Sequence, residues 1–216
     1  AQTTVEPERE APYEGDLPDT AAPAQPDPPA AAETPEQTEP SGSSAEPQSA
    51  AEQKAAATLA SMTQEEKLWQ LFFVTPESVT GVETATVAGE TTKNALKAYP
   101  VGGIVYFAKN LETREQAIGL LANTQSYSKI PLFLGVDEEG GTVSRIGGND
   151  ALGGTKVADM HSYGHSADPA AVYAAGQTLA SNLTGLGFNL DFAPDCDVVT
   201  GADSVIGSRS FSSDPE

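Results

Sequence analysis

Cysteine is almost missing from this chain: Cys196 is the only one in 216 residues. An internal disulfide is thereby excluded, and with it the small stapled folds of disulfide-rich secreted domains. Cys196 also lies between Asp195 and Asp197. Negative neighbours disfavour the thiolate, so it is read as a buried residue and not as a nucleophile. Basic residues are scarce. Eleven Lys and Arg against 31 Asp and Glu give a formal charge of −20. Nucleic acid and anionic membranes attract basic patches, so neither is an expected partner. No apolar run nears the roughly 18 residues of a membrane span, so no membrane insertion is expected. Histidine is limited to His161 and His165. With Asp137 or Asp197 they could in principle hold a metal. Their Gly- and Ser-containing surroundings have a weak helical pattern, and neither a metal nor another cofactor is expected.

What the chain does contain is unevenly spread. Residues 1 to about 50 hold ten of the sixteen prolines, Tyr13 as their lone aromatic, and eleven acids against Arg9. Such a stretch cannot bury enough apolar surface to offset about 1–2 kcal/mol of chain entropy per residue. Residues 1–55 are therefore read as a disordered, acidic, Pro/Ala-rich linker, and 56–216 as the folded domain. The linker is either a solubilising tail or a semi-rigid spacer tethering the domain to a cell surface. A chain opening on Ala1-Gln2 fits an export product whose leader has been removed. An extracellular or surface-attached bacterial location is the expectation.

The folded part alternates helix and strand signals. Thr63-Gln64-Glu65-Glu66 has the form of a capping box, with Leu68, Leu71 and Phe72 sharing the face behind it. Residues 76–90 read as a loop and Thr91 to Tyr99 as a short helix. Val101 to Phe107 is a buried strand with Asn110 beyond its end. Thr113-Arg114-Glu115-Gln116 starts a helix whose face is Ala117, Leu120, Leu121 and Thr124. A strand covers 131–136. Asp168-Pro169 opens another helix, carrying Val172, Ala175, Leu179, Leu183 and Leu186, and a last strand covers 188–192. No hairpin signal such as Asn-Gly separates strands, so a parallel α/β sheet is expected. Neither a Gly-x-Gly-x-x-Gly nor a Gly-Lys-Ser/Thr loop is present, and a barrel is favoured over a nucleotide fold.

Carboxylates follow two of these strands. Asp137, Glu138 and Glu139 come after Val136, and Asp195 and Asp197 after Phe192. In a barrel both loops open on one face, and Gly140-Gly141 would let backbone approach a ligand closely. Arg145 and Arg209 stand nearby. Carboxylate acceptors and guanidinium donors suit a hydroxyl-rich ligand such as a sugar. Simple salt bridges holding loops together, or a solvated acidic loop, remain open alternatives at this point.

The run from Gly135 to Gly141, with Val143 and Arg145, resembles the Asp-x-Glu-Gly-Gly-Arg-Val-x-Arg motif of glycoside hydrolase family 3. Gly187 to Pro194 with Asp197, and Ile206 to Pro215, are similar to its next two motifs. Val101-Gly102-Gly103-Ile104 with Asn110 fits the β-N-acetylhexosaminidase branch. The resemblance runs from about Met62 to Glu216. It implies the N-terminal part of a TIM (β/α)8-type barrel and, for the intact protein, retaining hydrolysis that releases terminal β-linked N-acetylglucosamine from a carbohydrate substrate without a cofactor. By position, Asp137, Arg145 and Arg209 would bind that sugar. The nucleophile and the acid/base pair are expected beyond Glu216, so the chain reads as an incomplete barrel, inactive by itself. Thr142 stands where the family usually has arginine, and Asp195-Cys196 replace a more apolar pair; both bear on sugar preference. A β-glucosidase or β-xylosidase of the same family, and a non-catalytic sugar-binding surface protein, are the alternatives.

Overall fold

A computed structural model describes residues 49–166, 168–199 and 204–214. The linker expectation for residues 1–48 lies outside them. Helix α1 (Ala50–Ser61) takes in the last six residues assigned to that linker, which corrects the boundary. It buries nothing, and local signals alone supply the helix. The Glu52 carboxylate accepts from Ser49 N at 2.7 Å, and Ser49 Oγ accepts from Glu52 N at 3.2 Å. The six alanines of this helix are the strongest helix formers available.

The capping box at Thr63 opens α2 (Gln64–Trp69) as expected. Its predicted inner face does not form: Leu71 is 77% exposed, and Leu68 and Phe72 are exposed too. The helix stops before Leu71, and Trp69 together with Val74 of strand β1 (Phe73–Val74) packs on the core instead. Residues 76–90, expected to be loop, contain helix α3 (Pro76–Thr80), with Thr75 as its cap and proline at its first turn.

Helix α4 (Glu90–Ala98), strand β2 (Gly103–Tyr106), helix α5 (Arg114–Tyr127) and strand β3 (Phe133–Val136) follow. Strands β4 (Glu138–Gly140) and β5 (Val143–Ser144) form an antiparallel hairpin directly after β3. Helices α6 (Met160–Ser166) and α7 (Pro169–Thr184) then lead to strand β6 (Leu190–Asp191). The main sheet is wholly parallel, in the order β1-β2-β3-β6, with Ile104 beside Leu134 and Val136 beside Asp191. The expected α/β class with a parallel sheet is therefore observed. The absence of any hairpin is not.

One face of the sheet carries Ile104, Tyr106, Leu134 and Val136, buried under Leu96, Leu120, Leu121 and Leu183 of the helices. Tyr106 donates to Thr124 Oγ1 at 3.0 Å inside this core, and burial pushes its phenol up to about 12. The other face is apolar too. Phe73, Phe133 and Phe192 are 41%, 53% and 44% exposed, and the Phe73 ring lies 5.8 Å from each of the other two. Gly103 and Gly135 make room for them, since a Cβ at Gly135 would stand 2.7 Å from the Phe192 ring. Among the described residues the helices cover one face of this sheet and leave the aromatic face open.

Asn189 locks β6 onto β3. Its Oδ1 accepts from Leu134 N at 2.7 Å and its Nδ2 donates to Leu132 O at 3.0 Å. The side chain continues the strand ladder one step past the short backbone pairing, so the C-terminal ends of β3 and β6 finish side by side.

Candidate functional site

At that shared end stand the acids singled out above. Asp137 leaves β3, and its Oδ2 lies 3.3 Å from Arg145 Nη2, each side chain about a quarter exposed (25%). The next residue points the other way. Glu138 is completely buried and its carboxylate accepts four hydrogen bonds. Ser144 Oγ and Gly147 N donate to Oε1 at 2.7 and 2.9 Å, and the amides of Arg145 and Ile146 donate to Oε2 at 2.6 and 2.7 Å. Such a cradle offsets the desolvation that a buried carboxylate otherwise suffers. Glu138 therefore fixes the course of residues 144–147, and so where Arg145 starts.

Glu139, also buried, reaches across the fold. Arg209 donates to it from Nε at 2.8 Å and from Nη2 at 2.7 Å, and Nη2 also stands 3.1 Å from Asp195 Oδ2. The bonds to Glu139 hold the Arg209 guanidinium firmly protonated, above the ordinary arginine range. All three predicted sugar contacts are thus brought to one end of the sheet. Both arginines make the salt bridges that the sequence left open as an alternative, and Arg209 offers one edge of its fork to Glu139. The Nε of Arg145 is buried without a partner among the described residues.

The diglycine serves the turn of the hairpin. Gly140 and Gly141 have φ of 88° and 56°, where side-chain-bearing residues are strained. Gly141 N donates to Val157 O at 3.0 Å, so the close approach these glycines permit is to segment 157–159. Gly-Gly is itself a hairpin signal, and here it is the local cue to the β4–β5 turn.

Asp191, not singled out from the sequence as a site residue, lies under this arrangement. Its Oδ1 accepts from Glu138 N at 3.0 Å. Burial first, then the charges of Glu138, Asp137 and Glu139, push its carboxyl up from 3.8 to about 6, against the pull of that amide. The folded state thus holds a proton that the unfolded chain releases near pH 4. Stability falls as pH rises from about 4 to about 6. Asp191→Asn keeps an oxygen for the Glu138 amide and removes the charge. It is expected to leave urea stability unchanged near pH 4 and to raise it at pH 7.5 by about 1 kcal/mol, the partly exposed carboxyl being screened by solvent. A loss at pH 7.5 would contradict the assignment.

Two further expectations meet the structure here. Cys196, read as buried, is exposed; its loop turns the thiol outward while Asp195 turns in toward Arg209. His161 and His165 lie on α6 with ring centres 6.0 Å apart. Among the described residues no three His, Cys, Asp or Glu side chains are grouped as metal ligands, and none of the described helices is long and apolar enough to cross a membrane.

A family profile described as the glycosyl hydrolase family 3 N terminal domain matches residues 63–216. A beta-hexosaminidase of Bordetella avium is 36% identical over 132 residues, covering 58% of this chain and 37% of that protein. Beta-hexosaminidase A of Pseudoalteromonas piscicida is 35% identical over 134 residues, covering 56% and 21%. Among solved structures, a family 3 beta-N-acetylglucosaminidase from Paenibacillus sp. str. FPU-7 superposes with TM-score 0.61 at 29% identity, covering 70% of this chain and 28% of that one. NagZ from Neisseria gonorrhoeae in complex with N-trifluoroacetyl-D-glucosamine gives 0.55 at 31% identity, covering 66% and 41%. The match with the Bordetella protein thus spans little more than a third (37%) of that relative's length.

Proposed function

The chain belongs to glycosyl hydrolase family 3 through its N-terminal domain, residues 63–216, and from that premise we propose that it holds the terminal sugar of a β-linked N-acetylglucosaminide during retaining hydrolysis. The supporting observation is the convergence of Asp137, Arg145 and Arg209 beside the joined ends of β3 and β6. An ionised carboxylate accepts from sugar hydroxyls and a guanidinium donates to them. Asp137 and Arg145 are partly exposed and already oriented by each other, so little rearrangement is needed to take up a ligand. Contacts of this kind, remote from the bond being cut, orient the anomeric carbon for attack.

We assign neither the nucleophile nor the proton-transfer group to the acids described above. Glu138 and Glu139 are buried on amide and guanidinium partners, and Asp191 lies beneath the hairpin. The architecture proposed for the whole catalytic unit is a (β/α)8 barrel. Its support is a parallel sheet running in chain order with an uncovered aromatic face, the face that a closing barrel would fill with side chains. The acidic, proline-rich segment before the domain supports a role as a spacer at a bacterial cell surface.

The test is hydrolysis of the 4-nitrophenyl β-glycosides of N-acetylglucosamine, glucose and xylose by the product of the whole reading frame. The N-acetylglucosaminide is expected to react fastest, by more than tenfold, with the β-anomer of the free sugar appearing first. Faster cleavage of the glucoside or xyloside would overturn the sugar assignment, and binding of N-acetylglucosamine without turnover would overturn the hydrolase.

A further inference from the structure

Arg209 belongs to a three-residue 3-10 turn (Gly207–Arg209) that contributes no buried residue of its own. Nothing in so short an element fixes a long, flexible side chain. Its guanidinium is nevertheless held on two sides. Glu139 takes Nε and Nη2 through both carboxylate oxygens, in the paired geometry that gives guanidinium–carboxylate bonds their directionality. Asp195 takes Nη2 from the other loop, and its own Oδ1 is fixed by Asp197 N at 2.9 Å. The same two loops are stitched again by Ser210, whose Oγ donates to the carbonyls of Asp197 and Ser212, and by Val199 N, which donates to Ser212 O at 3.2 Å. Both acid side chains are nearly enclosed, at 5% and 9% exposure, while that of Arg209 is 32% exposed. The anions are therefore buried and the cation is the open member. Among the described residues, Nη1 is the one guanidinium nitrogen without a protein partner.

We infer that Glu139 and Asp195 are positioning residues for Arg209, gripping one edge of its guanidinium so that the Nη1 edge is presented to the sugar. The inference rests on the reading of Arg209 as a sugar contact and adds to it the pair of acids that aims it. A preset donor gives up little rotamer freedom on binding, whereas a free arginine must be ordered by the ligand itself. The clamp acts in binding, and its loss is felt in KM before kcat.

The experiment compares Glu139→Gln, Asp195→Asn, Arg209→Lys and the double variant Glu139→Gln/Arg209→Lys in the product of the whole reading frame, on 4-nitrophenyl N-acetyl-β-glucosaminide. Arg209→Lys is expected to raise KM about 30-fold, Glu139→Gln about 10-fold and Asp195→Asn about 3-fold, with kcat within about twofold throughout. The double variant should be no worse than Arg209→Lys alone, since the acids act through the arginine. If Arg209→Lys raises KM while neither acid variant does, the clamp is overturned and the sugar contact stands. If Arg209→Lys leaves KM unchanged, the sugar contact fails and the clamp with it. Additive effects in the double variant would also overturn the clamp.

Discussion

Glu138→Ala is expected to cost about 4 kcal/mol of folding stability, the largest loss from any single acid in the site. Its carboxylate is fully buried and accepts from the amides of Arg145, Ile146 and Gly147 and from the Ser144 hydroxyl. Truncation leaves those donors without an acceptor, and each unsatisfied buried donor costs about 1–3 kcal/mol. Partial collapse of residues 144–147 onto the gap recovers some of that. Glu138→Gln should lose less, about 2 kcal/mol, because the amide oxygen still serves one side of the cradle while its NH2 opposes donors on the other. Urea denaturation checks both, read as a shift of midpoint at unchanged slope. A loss below about 1 kcal/mol in the alanine variant would mean that the cradle reforms around water.

Asp137→Asn, one residue earlier, should do the reverse. Activity on the N-acetylglucosaminide is expected to fall about 100-fold in kcat/KM, from losing about 2–3 kcal/mol of charge-assisted bonding to sugar hydroxyls. Folding stability should scarcely move, because a 3.3 Å ion pair between side chains 25% exposed contributes at most about 1 kcal/mol. Undiminished activity in this variant would remove Asp137 from the sugar site. Two neighbouring acids with opposite phenotypes, one in stability and one in catalysis, would be hard to obtain from a solvated acidic loop.

The sequence carried the parts of this design that depend on local chemistry. Capping boxes, the Asp168-Pro169 helix start and the inward face of α5 at Ala117, Leu120, Leu121 and Thr124 announce themselves within a few residues. So did the convergence of Asp137 with Arg145, eight positions apart. The bond between Glu139 and Arg209 spans 70 residues, and no local pattern encodes it. The burial of Glu138 was invisible for a different reason. A glutamate after a strand reads as exposed unless four donors are known to wait for it, and three of those are backbone amides, which any sequence possesses. The outward thiol of Cys196 follows in the same way, from Asp195 turning inward to an arginine placed by tertiary structure.

The hairpin after β3 can be regarded as a reading frame. Glu138 and Glu139 are the same residue type, so moving the segment by one position would still offer a carboxylate to the amide cradle. What makes the frames unequal is punctuation by Gly140 and Gly141, the two positions at φ of 88° and 56°. Shifted one way, Glu139 falls at the first of them; shifted the other way, Thr142 falls at the second. Either residue would be forced into the left-handed region at a cost of about 1–2 kcal/mol, and a β-branched threonine fits it worst. The frame that assigns one acid to Arg145, one to the cradle and one to Arg209 is thus held by two residues that have no side chain at all.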